Sequence, residues 1–389
     1  MTDGTLVGEI GSLEAYERYD ALFNALRREY TKRNMPLKGT FELTPHCTLD
    51  CKMCYVHASN GQYPGRVLTG DEWISIIDDA VDAGMLYATL TGGECMVHPD
   101  FRRIYEHLKK RGVFVSILSN GTLIDESMAV FLGSMPPHCI RISIYGSGPE
   151  GYERVTGSAE AFYKVDRAFD LLHEAGVVTD IAITVCRYNL EDFDNILRYA
   201  NGKPHARLQV ECDMIEPRSE TGKKLADFAL NLREQERVWH IYKEADGKPF
   251  LPLCDKDFDV STMDSAKPSG ENASARTKLP CAAGHCIFYV SYSGVMRPCV
   301  EFELVQRNLL NTEFGEAWMA INEAAKAYVR SEECQGCKFL GKCSFCAAIY
   351  SKLTGGKNGL PGSLPCDKRY RILRYAIAQK GKEQRSETA

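Results

Sequence analysis

Apolar and polar positions alternate along this chain in a way that predicts an α/β protein. Between residues 39 and 245, short apolar or β-branched runs alternate with stretches whose apolar residues recur at helical spacing. The runs with the length and composition of strands are 39–44, 87–91, 113–118, 139–145, 179–185 and 207–212. Eight strand–helix units would close a full barrel, so six units predict an open, partial (β/α)6 barrel.

Helix boundaries are also marked in the sequence. Thr69 and Glu72 have the spacing of a capping box, and Gly84 is placed to end the helix that follows. Apolar residues at helical spacing from Ser12 to about Lys32 predict an amphipathic helix that packs against the barrel.

Changes in composition along the rest of the chain mark a linker and a cysteine-rich region. Hydrophobicity falls around 254–278, where Ser, Asp, Lys and Gly predominate, and a cysteine-rich region follows. The predicted organisation is a helical segment (1–36), a partial barrel (37–250), a linker (251–280), a cysteine-rich domain (281–370) and a terminal helix with a polar tail (371–389).

Charge and hydropathy exclude several classes of partner. The 389 residues carry a net charge of −5 and no long basic run, so no nucleic-acid partner is expected. The chain lacks an export-signal pattern and any apolar run long enough to span a membrane, which predicts a cytoplasmic protein. Sixteen cysteines in such a protein indicate metal binding rather than disulfides.

The first cysteine group has the spacing C-x3-C-x2-C and consists of Cys47, Cys51 and Cys54, directly after the first predicted strand. Three thiolates can hold three irons of a 4Fe-4S cubane and leave the fourth iron open to another ligand. A zinc site or buried free cysteines are the alternatives. Structural zinc sites usually need four ligands, and no other cysteine lies within 30 residues of this triplet.

Glycine-rich or polar motifs follow the next three predicted strands. They are Gly92-Gly93-Glu94, Ser119-Asn120-Gly121 and Ser143 in the run SIYG. Each is common in turns when taken alone. The carboxyl ends of barrel strands share one face, so together these motifs predict an active site there.

With the cysteine triplet and these motifs in this order, the chain resembles the radical S-adenosylmethionine (SAM) family. The resemblance implies a TIM-like partial barrel and a 4Fe-4S cluster whose open iron binds SAM, which is cleaved to a 5'-deoxyadenosyl radical. It further implies that Gly92, Gly93 and Glu94 bind the methionine amino group, and that Ser119, Asn120 and Ser143 contact the ribose and nearby polar atoms. Arg154 is a candidate partner of the methionine carboxylate, and a solvated arginine is the alternative.

The eight cysteines between 281 and 366 resemble the SPASM extension of radical SAM enzymes. The resemblance implies two auxiliary clusters, one held by Cys281, Cys286, Cys299 and Cys346 and the other by Cys334, Cys337, Cys343 and Cys366. In a departure from the family pattern, two residues separate Cys343 from Cys346 where the family usually has three. A zinc or rubredoxin-like site formed by Cys334, Cys337, Cys343 and Cys346 is the alternative.

Enzymes with this extension mostly act on peptides or protein side chains. The expected function is therefore oxidative crosslinking, through a thioether or carbon–carbon bond, of a ribosomally made precursor peptide, with flavodoxin or ferredoxin as reductant. Only about 36 residues precede the first strand, so either a separate protein binds the leader peptide or the substrate is not a ribosomal peptide. By position, Glu211 and Glu301 are candidates for the acid or base.

Four other functions stay open at this point. They are peptide epimerisation, formylglycine formation, radical dehydrogenation of a small molecule, and a zinc-binding interaction protein without enzymatic activity. Formylglycine formation is disfavoured because Val300 stands where the sulfatase-maturing branch has Asp.

Overall fold

The structure, a computed structural model, describes residues 13–212, 214–215, 217–245, 279, 281–303, 305–328 and 346. In this part of the chain, one sheet of nine strands forms the framework of the fold. The strands are β1 Lys38–Glu42, β2 Tyr87–Thr91, β3 Phe114–Ser119, β4 Cys139–Ile144, β5 Thr179–Thr184, β6 Arg207–Glu211, β7 Ile287–Val290, β8 Val295–Arg297 and β9 Arg307–Asn308. Their order is β6-β5-β4-β3-β2-β1-β7-β8-β9, parallel from β6 to β7 and antiparallel beyond. The six predicted strands and the α/β class are confirmed.

Helices connect the parallel strands from β1 to β6, and others precede β1 and follow β6 and β9. They are α1 Leu13–Arg33, α2 Gly70–Asp82, α3 Phe101–Lys110, α4 Glu126–Ser134, α5 Pro149–Thr156, α6 Glu160–Glu174, α7 Phe193–Asn201, α8 Leu225–Phe228, α9 Leu232–Ala245 and α10 Phe314–Ala327. Six strand–helix units therefore run from β1 to α9, as predicted for a partial barrel. The core lies between the sheet and the apolar faces of these helices.

Helix α2 shows how the sequence fixes these units. Thr69 and Glu72 form both hydrogen bonds of the predicted capping box. The helix buries Trp73, whose ring packs perpendicular to that of Phe41 on β1 with centroids 5.9 Å apart. Gly84 follows the helix with a φ of 109°, a left-handed conformation that favours glycine. The chain thus turns sharply into β2.

Strand β7 comes from the predicted C-terminal domain and yet pairs with β1 along its length. Lys38 lies opposite Ile287, and Phe41 opposite Val290. Phe288 of β7 packs against the rings of Phe41, Phe314 and Trp318. The sheet of the barrel therefore continues into the region that follows the predicted linker.

No helix among the described residues is both long and apolar enough to cross a membrane. Several predicted features lie outside the described residues: the polar stretch 254–278, the terminal helix and tail from residue 371, and Cys334, Cys337, Cys343 and Cys366.

Candidate active site at the carboxyl ends of the strands

A cavity of about 290 Å³ opens where the parallel strands end. Its wall is built from the segment after β1 and from residues at the ends of β2 to β6. The structure brings to it nine of the predicted site residues: Cys47, Cys51, Cys54, Gly92, Gly93, Ser119, Asn120, Ser143 and Glu211. Glu211 is the one charged side chain among the described residues of the wall.

The three thiols of the first group belong to residues 44–57, here called the cluster loop. The Cys47 sulfur accepts hydrogen bonds from the Leu49 N–H at 3.5 Å and from Asn120 Nδ2 at 3.3 Å. The Cys54 sulfur accepts one from the His57 N–H at 3.2 Å. Hydrogen bonds of this kind to cysteine sulfurs are among the features that tune iron–sulfur clusters.

The environment of these thiols fits a cluster. Burial raises the pKa of Cys47 to about 11 and that of Cys51 well above its ordinary value. Near neutral pH, Cys47 and Cys51 therefore stay mainly protonated unless a metal centre supplies positive charge. Among the described residues, no three Cys, His, Asp or Glu side chains converge as the ligands of a single ion would. In a cubane, by contrast, each thiolate binds a different iron, and three sulfurs spread along one cavity wall suit that arrangement.

Gly92 and Gly93 allow the end of β2 to approach the cluster loop closely. The Gly93 N–H donates to the Thr44 carbonyl and the Glu94 N–H to the His46 carbonyl, both at 2.8 Å. A Cβ atom on Gly92 would overlap the Thr44 carbonyl oxygen, and one on Gly93 would overlap that of His46. Side chains are therefore excluded at both positions, and the backbone pairing fixes the entry to the cluster loop.

Glu94 lies behind the cavity wall and is almost completely buried. Its carboxylate accepts hydrogen bonds from the Ser119 hydroxyl at 3.0 Å and from the Asn120 N–H at 2.7 Å, and a third from the Met96 N–H. Asn120 in turn donates to Cys47. The sequence suggested contact between Glu94 and the methionine amino group. In the structure this carboxylate orients the turn after β3, and its contact with the methionine amino group stays a prediction.

The wall also contains residues that the sequence motifs did not indicate: Tyr145, Thr184, Met214 and Ile215. The Tyr145 side chain lies beside the Cys51 thiol. Tyr145 stands two residues after Ser143 and therefore points to the same face of the chain. That alternation is the signal that would have identified it.

Two predicted residues lie away from the cavity wall. Arg154 is exposed on α5, because this helix buries Tyr152 and Val155 on its other side, and its Nε donates to the Tyr188 carbonyl at 2.8 Å. Arg154 is therefore not among the described residues of the cavity wall, and its pairing with the methionine carboxylate stays a prediction. Glu301 is buried after β8 and is not part of the described wall.

The described cysteines of the C-terminal region fall into two places. Cys281, Cys299 and Cys346 are neighbours: burial, together with the nearby thiols of Cys346 and Cys281, raises the pKa of Cys299 to about 12. Cys286 is instead buried among Leu37 and Tyr87 at the start of β1 and β2. Of the first predicted auxiliary set, three cysteines thus lie together and Cys286 lies elsewhere.

The fold and this site define the class of the protein, and a family comparison agrees with them. Residues 41–200 match the family model described as the Radical SAM superfamily. The chain is a radical SAM enzyme, and its cofactors are SAM and a 4Fe-4S cluster. The prediction of the family from the cysteine triplet and the strand-end motifs is confirmed.

Relatives with assigned roles span most of the chain. An AdoMet-dependent heme synthase of Nitratidesulfovibrio vulgaris is 27% identical over 328 residues, which cover 81% of this chain and 85% of the relative. The subtilosin biosynthesis protein AlbA of Bacillus subtilis is 25% identical over 331 residues, covering 80% of this chain and 67% of AlbA.

Among solved structures, Streptococcus suis SuiB bound to S-adenosylmethionine matches with a TM-score of 0.62 at 18% identity, over 89% of this chain and 82% of SuiB. Native anSMEcpe with bound AdoMet matches with a TM-score of 0.59 at 18% identity, over 88% of this chain and 98% of that one. At this identity the two structures support the fold.

Proposed function

We propose that this enzyme modifies a peptide by radical chemistry. The observation that carries the proposal is the composition of the cavity wall. Its described residues combine three cysteine thiols with neutral side chains and one acid, Glu211. Such a wall suits an uncharged stretch of polypeptide or a basic side chain. The peptide maturases among the relatives, AlbA and the mycofactocin maturase MftC of Mycolicibacterium smegmatis, support the same assignment.

In this proposal the cluster loop holds the radical-generating centre through Cys47, Cys51 and Cys54. When bound, the cluster supplies the electron that splits SAM into methionine and a 5'-deoxyadenosyl radical. The backbone of Gly92 and Gly93 and the polar groups of Ser119, Asn120 and Ser143 bind and orient SAM at the strand ends. Glu94 keeps Asn120 in place.

We further propose that the reaction is an oxidative crosslink, which removes two hydrogens from the peptide. One leaves as a hydrogen atom to the deoxyadenosyl radical, and the other leaves as a proton and an electron. Glu211 is the acid in the wall that can accept the proton. The C-terminal cysteines would hold auxiliary clusters that could accept the electron, and flavodoxin or ferredoxin would supply the first electron. A separate leader-binding protein is part of the same proposal.

A second candidate function follows from the heme synthases, which match this chain at 26 to 27% identity over more than four fifths of its length. The substrate would then be a tetrapyrrole. Tetrapyrroles of heme synthesis carry several carboxylates, for which arginine and lysine are the usual partners. The described wall contains neither residue, which favours the peptide.

The test uses the full chain, reconstituted anaerobically with iron and sulfide and reduced with dithionite in the presence of SAM. We expect 5'-deoxyadenosine, and its loss in a variant with Cys47, Cys51 and Cys54 all changed to Ala. Co-expression with small open reading frames from neighbouring genes should yield a peptide lighter by two mass units. Unchanged peptide mass together with conversion of a tetrapyrrole to heme would reject the proposal in favour of the second candidate.

A further inference from the structure

A lysine far along the sequence holds the cluster loop together. The Lys223 ammonium donates to the Cys51 carbonyl at 2.9 Å, to the His57 carbonyl at 3.2 Å and to the Asp50 carboxylate at 3.2 Å. These acceptors lie on both sides of Cys54. One side chain thus ties the beginning and the end of the stretch that carries two of the three cysteines.

These contacts use the full hydrogen-bonding capacity of the Lys223 ammonium. It has three N–H donors, and each has an acceptor in the cluster loop. The side chain of Lys223 is 14% exposed, whereas its ion-pair partner Asp50 is 52% exposed. Two of the three acceptors are neutral carbonyls, so a positive charge stays beside Cys51 with one partly solvated carboxylate as its counterion.

The segment that carries Lys223 is itself anchored to β1, the strand that leads into the cluster loop. The Arg218 N–H donates to the Tyr55 carbonyl at 3.1 Å. The Arg218 guanidinium binds both carboxylate oxygens of Glu42, at 2.8 and 2.9 Å, and the Tyr289 hydroxyl at 3.0 Å. Glu42 is buried at the end of β1. Since Glu42 and Tyr289 belong to the packed strands β1 and β7, the segment that carries Lys223 is anchored to the sheet as well as to the cluster loop.

We infer that Lys223 is a positioning residue: its ammonium fixes residues 50–57 in the conformation that presents Cys51 and Cys54 to the cavity, and its charge favours the reduced cluster. The second part follows because reduction adds negative charge, and the net charge around a cluster sets its potential. The inference rests on the proposed function of the cysteine triplet, while its first part concerns the protein without cofactor.

Three variants separate these effects. Lys223→Met removes the charge and the donors, and Lys223→Arg keeps the charge but replaces the compact ammonium with a planar fork. Lys203→Met is the matched control, since Lys203 is 15% exposed and pairs with Asp166 on α6, away from the cluster loop.

The first measurement is hydrogen exchange in the full-length apo protein. In Lys223→Met, the amides of Lys52, Cys54 and His57, which are hydrogen-bonded in the structure, should exchange about tenfold faster or more. Lys203→Met should exchange like the wild type at these amides. Wild-type protection of these amides in Lys223→Met would overturn the positioning role. If Lys223→Met does not fold, exchange of the same amides is compared between Lys223→Arg and the wild type, and wild-type protection again overturns that role.

The second measurement is the midpoint potential of the reconstituted cluster, followed by electron paramagnetic resonance. Lys223→Met should shift it to more negative values and Lys223→Arg should leave it near the wild-type value. Equal potentials in all variants would reject the electrostatic role. Failure of the wild type to take up a cluster would reject the proposed function instead, and the exchange result on the apo protein would stand.

Discussion

At the scale of single residues, burial of the cluster thiols controls their reactivity in the apo protein. Because burial raises the pKa of Cys47 to about 11, only about one molecule in a thousand carries this thiolate at pH 8. Alkylation of Cys47 by iodoacetamide should therefore be far slower than that of glutathione at pH 8, and should rise about tenfold per pH unit up to pH 11. Peptide mapping by mass spectrometry after short exposures measures both rates. A Cys47 that reacts as fast as glutathione at pH 8 would contradict this expectation.

Glu94 should matter for stability as well as for the site. In Glu94→Gln, an amide NH2 replaces one of the two oxygens that accept hydrogen bonds from Ser119, Asn120 and Met96. A buried donor then faces another donor, which costs about 1–3 kcal/mol in the free energy of unfolding. Urea denaturation of the apo protein measures the loss. Glu174→Gln, at an exposed position on α6, is the control and should change stability by less than about 0.5 kcal/mol.

At the scale of elements, the ion pair between Arg218 and Glu42 joins the segment after β6 to β1. Both side chains are largely buried, so Arg218→Met leaves an uncompensated carboxylate and should cost about 3–5 kcal/mol in the free energy of unfolding. The double variant Glu42→Met/Arg218→Met should recover most of that loss. Arg237→Met breaks an exposed pair with Glu191 and should cost at most about 1 kcal/mol. A double variant as unstable as Arg218→Met alone would contradict this account of the pair.

The sequence was most informative where one local pattern determines an element. The strands β1 to β6 were predictable because each is an apolar run between a helix and a turn motif, and α2 because its capping box is local. β7 was not predicted, since four residues among cysteines and turns become a strand only by pairing with β1. For the same reason the sequence could not place Arg154: helical spacing alone does not tell which face of α5 the barrel covers.

The candidate site likewise has features that a local sequence pattern predicts and features that only the packing of distant segments creates. The cysteine spacing and the glycine pair have short-range causes and could be recognised directly. The contacts of Lys223 join residues more than 160 positions apart and have no local signal. The distinction between Glu94, which supports the turn after β3, and Glu211, which lines the cavity, also depends on how the strands pack together.

At the scale of the whole molecule, the shared sheet predicts that the barrel region does not fold alone. A chain truncated after residue 250 lacks β7, which pairs with β1, and lacks Phe288, which fills the core beside Phe41. The exposed edge and apolar surface should cause aggregation. Size-exclusion chromatography and circular dichroism of the truncated and full-length proteins test this. A monodisperse truncated protein with native-like helix content would contradict it.

The pairing of β1 with β7 also bears on biosynthesis. Chains begin to fold from the N-terminus while they are being made. The strand that leads into the cysteine triplet has its partner β2 early, but its other partner emerges from the ribosome only when residue 290 has been added. The cluster loop therefore acquires its final support after three quarters of the chain exists. We expect iron and sulfur to be inserted after β7 has paired with β1 rather than before.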